Sequence, residues 1–139
     1  GLSEGAPNPV YGDFRDPNEP GSGGGSGGGS GGGLARIVAQ TVQLDGSIVA
    51  DGGNFTGDGA GGSGGGVRIE AGTLRGTGLV RANGGRGQFY GGGGGGGRIA
   101  IYFQDAAGFD FARVAASGGA GSDGRPNGQN GTVHLEQRL

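Results

Sequence analysis

Residues 21–33 read GSGGGSGGGSGGG. Glycine loses more backbone entropy on folding than any other residue. Ordering each residue costs about 1–2 kcal/mol, and a run without side chains has only backbone hydrogen bonds and close packing to offset that cost. Such a run is therefore either a flexible spacer or an element that lies flat against its neighbours. Phase decides between the two. GDGAGGSGGG (residues 57–66) and GGGGGGG (residues 91–97) stand at the same place, each ahead of a similar apolar segment. An appended spacer would not keep step with two later copies, so residues 21–33 are read as the first instance of a native element.

The segments that follow the runs share one pattern. GGGLARIVAQTVQLDGSIVADGG, GGGVRIEAGTLRGTGLVRANGG and GGGRIAIYFQDAAGFDFARVAASGG are followed by a shorter NGTVHLEQRL. Ile37, Ile69, Ile99 and Val133 match in this alignment, at intervals of about 32, 30 and 34 residues. Ala50, Ala82 and Ala116 close the units, each followed by an Asp, Asn or Ser and two glycines. Alternation predicts a strand with Ile37 and Ala39, Ile69 and Ala71, or Ile99, Ile101 and Phe103 inward, and Arg36, Arg68 and Arg98 on the other face. A turn at Asp45-Gly46 or Gly76-Thr77-Gly78 leads to a second short strand with Ile48 and Ala50, or Val80 and Ala82, inward. Extra residues around Ala106–Asp110 predict a longer hairpin loop in the third unit.

The expected fold is all-β: a glycine-rich repeat of period about 32, built as a β-solenoid or a two-sheet sandwich and flanked by polyglycine-II-like segments. Extended threefold helices have no internal hydrogen bonds, so their amides are free to pair with neighbouring chains. Thirteen residues at about 3.1 Å each span about 40 Å, longer than a strand of about 17 Å, so the run must bend or overhang. The domain plan is an extended arm at 1–20, which holds four of the five prolines, and one repeat domain at 21–139. Its units are about 21–53, 54–85, 86–119 and a partial 120–139.

Composition excludes several classes. Glycine makes up 43 of 139 residues, but without a Gly-X-Y period or abundant proline, so a collagen helix is ruled out. Apolar residues are few, yet the net charge is only −2, which argues against a disordered chain. Without cysteine there are no disulfides. Without methionine, Gly1 is read as the start of a processed product or an excised fragment. No apolar stretch approaches the length of a membrane span, so no membrane insertion is expected. All ten basic residues are arginines, scattered and balanced by twelve acids, so no nucleic-acid partner is expected.

No motif carries catalytic chemistry. The G-x-G-x-x-G matches at Gly57–Gly62 and Gly119–Gly124 precede strands rather than helices, as dinucleotide binding would require. His134 is the only histidine and has no nucleophile motif beside it. The expectation is a chain that is not an enzyme, with no catalytic residue, cofactor or metal site. Calcium is the one ion left open, because Asp45, Asp51, Asp58, Asp110 and Asp123 lie in turns. Asn54 and Asn130 open N-glycosylation sequons. Tyr102 and Phe103 are expected to cap the core, and Phe55, Phe89 and Tyr90 to pin the glycine loops.

The Pro-rich arm carries Val10, Tyr11 and Phe14, and the last half-unit offers Val133 and Leu135 on an edge strand. An unprotected edge templates association, and a head-to-tail contact that does not close makes a filament. These five residues are the expected assembly interface, with copies of the same chain as partner.

Glycine runs followed by Arg98-Ile99-Ala100-Ile101-Tyr102, Ala71-Gly72-Thr73-Leu74, and Ala82-Asn83-Gly84-Gly85 or Ala50-Asp51-Gly52-Gly53 resemble the glycine-rich repeats of large secreted bacterial surface and matrix proteins and of plant glycine-rich extracellular proteins. The resemblance covers roughly residues 21–119. It implies an extracellular or cell-surface location and a repeat architecture, and carries no functional residues. In composition alone, the runs are also similar to the polyglycine-II bundles of certain phage tail adhesins. The expected function is a secreted structural subunit of an extracellular filament, sheath or biofilm-type matrix. The alternative is an adhesin or carbohydrate-binding module of a cell-surface or phage-tail protein, with surface glycans as partners.

Overall fold

A computed structural model describes residues 12–139. Seven strands follow one another: β1 (Leu34–Gln43), β2 (Ser47–Val49), β3 (Gly66–Gly76), β4 (Leu79–Arg81), β5 (Arg98–Phe109), β6 (Val114–Ala115) and β7 (Thr132–Gln137), with a 3-10 turn at Phe111–Arg113. Odd strands form a long parallel sheet in the order β1-β3-β5-β7, and even strands a short parallel sheet in the order β2-β4-β6. Every partner lies one repeat away, so the chain is a β-solenoid with a period of about 32.

Each coil is a long flat loop. The chain runs out along the long sheet, turns a corner and returns along the short sheet. The predicted turns are thus corners between two sheets, not hairpins within one. From Ala50, Ala82 or Ala116 the chain continues through a glycine-rich exit segment, rounds a tip and comes back through a glycine-rich return segment into the next long strand. Exit and return segments lie side by side: Gly62 N donates to Gly53 O at 3.0 Å and Gly65 N to Ala50 O at 2.7 Å.

The strand half holds the apolar core. Val67, Ile69, Ala71, Leu74, Val80, Ala82, Ile99, Ile101, Ala50 and Ala116 are buried, with Ile37, Ile48 and Phe103 half-buried against them. Ala39, expected in the core, is exposed. It stacks on Ala71 from one side only, because β1 is an outer strand.

The register corrects the sequence alignment by two residues. Ile37 pairs with Ile69, Ile69 with Ile101, and Ile101 with Leu135, while Ile99 stands between Val67 and Val133. The third unit's extra residues do not make a loop. β5 gains one residue between the Thr73–Asp105 and Arg75–Gly108 pairs, a bulge held by Ala107 N donating to Asp105 Oδ1 at 2.9 Å. A further residue enters at the corner, where Val80 then pairs with Val114. There Phe111 packs against Phe103 and Phe109, with both pairs of ring centroids 5.3 Å apart.

The glycine half has no apolar core; hydrogen bonds hold it. Successive amides point in three directions. Gly61 N donates to Gly92 O of the next return segment at 3.0 Å, Gly62 N to Gly53 O of its own exit segment at 3.0 Å, and Ser63 N to Ser22 O of the preceding run at 2.8 Å. The cycle repeats with Gly64 N to Gly95 O at 2.9 Å and Gly65 N to Ala50 O at 2.7 Å. A threefold rotation of donors is what three residues per turn produces. These are polyglycine-II-like segments, bundled beside the sheets.

Exit turns add a side-chain ladder. Asp51 Oδ1 accepts from Asn83 N at 2.8 Å, and Asn83 Oδ1 accepts from Ser117 N at 2.8 Å. Asn54 Oδ1 accepts from Arg86 N at 2.8 Å. Each side chain caps the backbone of the following coil.

The bundle sorts its glycines by space. A Cβ on Gly62 would lie 1.9 Å from Ser30 O, and one on Gly94 2.0 Å from Gly62 O; at Gly33 it meets nothing within 4 Å. Gly62→Ala is expected to destabilise by about 1–3 kcal/mol or more through overpacking against backbone that cannot move alone. Gly33→Ala is expected to be neutral or to stabilise by up to about 1 kcal/mol, since it restricts only the unfolded chain. Urea unfolding of the two variants checks this; equal losses would mean the bundle is not closely packed.

Candidate functional site

The outer face of the long sheet carries a cluster of ionic groups. Parallel register lines up Arg36, Arg68, Ala100 and His134 in one cross-strand row, and Val38, Glu70, Tyr102 and Glu136 in the next. Arg98 lies outward too, but in a different row, opposite Gly66 and Thr132. Small residues at Gly66 and Ala100 leave room for another chain, and the arm fills it.

Residues 12–20 cross the strands of their own sheet. Phe14 stands edge-on to His134 at 5.5 Å, and the carbonyl of Arg15 accepts from the Tyr102 hydroxyl. Asp16 Oδ1 lies 3.0 Å from Arg36 Nη2 and 3.1 Å from Arg68 Nε. Pro17 is fully buried, near Gly66. Arg98 Nη2 donates to Glu19 O at 3.4 Å. The arm is thus a clasp across the coils, and Phe14 engages its own chain. Val10 and Tyr11 lie outside the described residues.

Tyr102 is the hub of this face. It was expected to cap the core, but it points outward and is only 3% exposed. The Arg138 guanidinium sits 3.8 Å from its ring centroid and that of Arg68 at 4.9 Å. Arg68 pairs with Glu70 at 2.9 Å, and Arg138 with Glu136 at 3.0 Å and Glu70 at 3.5 Å. His134 Nε2 is 3.4 Å from Glu136. A hydrogen bond from Arg138 is the main cause that holds the Glu136 carboxyl below its ordinary pKa, with a smaller contribution from His134. Beside the hub lies a shallow depression of about 340 Å³ that includes Val38, Gln40, Glu70, Gly72, Gln104 and Arg138 in its lining. Around the hub Arg36, Arg68, Glu70, Glu136 and Arg138 each face an opposite charge, so these groups hold coils and clasp together. The clasp escaped sequence reading, although Arg36 and Arg68 recur in phase and carried a signal for it.

Three further surfaces stand out. At one end of the stack β7 presents Val133 and Leu135, each 41% exposed, in rows whose interior members Ile99 and Ile101 are fully buried. At the other end β1 presents Leu34, and β2 presents Val49. The third surface is the tip of the glycine half. Gln88-Phe89-Tyr90-Gly91 closes with Gly91 N donating to Gln88 O at 3.1 Å, and Phe89 and Tyr90 have φ of 45° and 65°. Two positive φ values and a 4→1 hydrogen bond describe a type I′ turn, whose central positions favour Asn and Gly. Two other tips use easier residues there: Ser26-Gly27, with φ of 55° and 72°, and Asp123-Gly124, with φ of 50° and 79°. Bulky residues in this region cost about 1–2 kcal/mol each. Phe89 and Tyr90 are 52% and 63% exposed, so they do not pin the loop as expected. Phe55 does: it lies over Gly57 and Gly59.

Comparisons with protein-family models, curated proteins and solved structures find no match to this chain. The turn aspartates can be judged on geometry. Asp51 holds Arg81 and Asn83, Asp45 accepts from Gln43 and Thr77, and Asp123 accepts from Tyr90 N. Among the described residues no cluster of three potential metal ligands forms. No helix of the described residues is long and apolar enough to cross a membrane.

Two outcomes follow. Asp16→Ala removes the carboxylate that bridges Arg36 and Arg68, so tryptic cleavage after Arg15 should accelerate several-fold while the core stays folded; an unchanged cleavage rate would mean that Asp16 does not hold the clasp. The Glu136 carboxyl should titrate below the ordinary range and return towards it in Arg138→Ala, as read by carbon-detected NMR. Because its folded pKa is depressed, its contribution to stability is present above the ordinary value and is lost as pH falls through the lowered one.

Proposed function

We propose that the chain is a structural subunit of an extracellular filament, sheath or matrix, and that it associates with copies of itself through the outer strands of its stack. One observation carries this reading. Val133 and Leu135 occupy rows that are fully buried in the interior coils, yet stand 41% exposed on β7. A further parallel strand in the same register would complete their surroundings. An unpaired strand edge is a template for that addition, and addition that repeats without closing makes a fibre.

Other features support the reading. The coils depend on nearest neighbours, so adding layers extends the structure without a new kind of contact. The chain has no cysteine, methionine or lysine and so few reactive side chains, which suits a material outside the cell. The resemblance to secreted glycine-rich repeats points to the same place. Val10 and Tyr11 belong to the proposed interface on sequence grounds. The clasp makes Phe14 a support for the edge, through His134 of β7, more than a free anchor.

Negative-stain electron microscopy near neutral pH, in moderate salt, is the test. The chain is expected to form uniform filaments. Val133→Asp with Leu135→Asp should leave discrete particles of unchanged circular dichroism. Discrete monomers of the unaltered chain at high concentration would defeat the proposal.

A further inference from the structure

The tip of the glycine half asks why two aromatic residues occupy the strained centre of a type I′ turn. Equivalent turns of other coils use Ser26-Gly27 and Asp123-Gly124, which suit that backbone. Phe89 and Tyr90 gain only partial burial in exchange, being 52% and 63% exposed. Strained residues that the local structure does not reward are a mark of function. The tip lies at the opposite end of each coil from the strands, so the outer-strand association proposed above does not use it.

We infer that Phe89 and Tyr90 form a binding site for a neutral polysaccharide, with the aromatic rings taking the apolar face of a sugar ring. Three observations select this ligand. The apolar patch is two residues wide and flanked by polar turns, whereas a stable protein interface needs about 800 Å² on each side. The neighbouring coil offers hydrogen-bonding groups beside the rings: Asp123 Oδ2 accepts from Tyr90 N at 3.3 Å, and Ser122 N donates to Gly91 O at 3.2 Å, which sets that turn against this one. The two amides are used within the protein, and the Asp123 carboxylate keeps its second oxygen as an acceptor for a sugar hydroxyl at that border. Finally, the exposed charges of the tip segments, Asp58 and Asp123 against Arg86 and Arg125, balance, so no net charge is offered to an anionic or cationic glycan or to a charged membrane. The rigid glycine bundle behind the turn holds the two rings in place before binding, so little ordering cost falls on the complex.

Affinity electrophoresis of the full chain tests this, in gels containing hydroxyethyl cellulose, xylan or dextran, with alginate as the acidic comparison. Retardation is expected in at least one neutral gel and not in alginate. The double variant Phe89→Asn, Tyr90→Gly should bind at least about tenfold more weakly. Its Tm should rise by about 3–6 °C as the turn relaxes. No retardation in any neutral gel, or equal retardation of the variant, overturns the inference. A fall in Tm would show that the rings serve the fold. Co-sedimentation with phosphatidylcholine vesicles in place of gel retardation would assign the tip to a lipid surface, and loss of filaments in the double variant would assign it to contacts between copies; either overturns the polysaccharide site.

Discussion

The structure depends on amides that leave the backbone in three directions. A strand offers hydrogen bonds to two neighbours in a plane. The return segments offer them to the following coil, to their own exit segment and to the preceding run in turn, as Gly61, Gly62 and Ser63 do. That geometry needs chains so close that a Cβ on Gly62 would come within 1.9 Å of a carbonyl oxygen. Glycine is required there because it has no side chain, more than because its backbone is permissive. The bundle's polar groups are thus satisfied without a hydrophobic core beneath them.

Everything else is fitted to that bundle. The return segments deliver the chain to the start of each long strand, so their spacing sets the parallel register. The strands then stack Ile37, Ile69, Ile101 and Leu135 into one row. The Asp51 and Asn83 side chains tie successive exit turns at the junction of the two halves. Across the outer face the clasp crosses the coils through Phe14, Asp16 and Pro17, and counters the weakness of a structure in which each layer touches only its neighbours.

Much of this was legible in the sequence. The phase of the glycine runs gave the period, and Ala50, Ala82 and Ala116 were aligned as they stack. Alternation placed most of the core. The failures have physical causes. Ile99 was matched to Ile69 because both follow an arginine, whereas burial follows distance along the strand, which places Ile101 beside Ile69. Ala39 has the right parity but sits in an outer layer, and parity says nothing about layers. Tyr102 is as buried as a core residue, but beneath arginines and the arm, a surrounding that no local pattern encodes. The turn at Phe89-Tyr90 was hidden because nothing in its residue types announces positive φ.

The division of each coil into an apolar half and a hydrogen-bonded half shapes how stability responds to temperature. Heat capacity of unfolding comes mainly from apolar surface, about +0.45 cal/K/mol per Å² exposed, while exposed polar surface subtracts from it. The glycine half exposes chiefly peptide groups when it opens. Its share of the heat capacity change is therefore small, and the stability curve of the whole chain is flatter than that of an ordinary domain of this length. Hydrophobic stabilisation fades on cooling; half of this molecule does not rely on it. A layer of bare backbone thus makes the fold less sensitive to cold as well as thin.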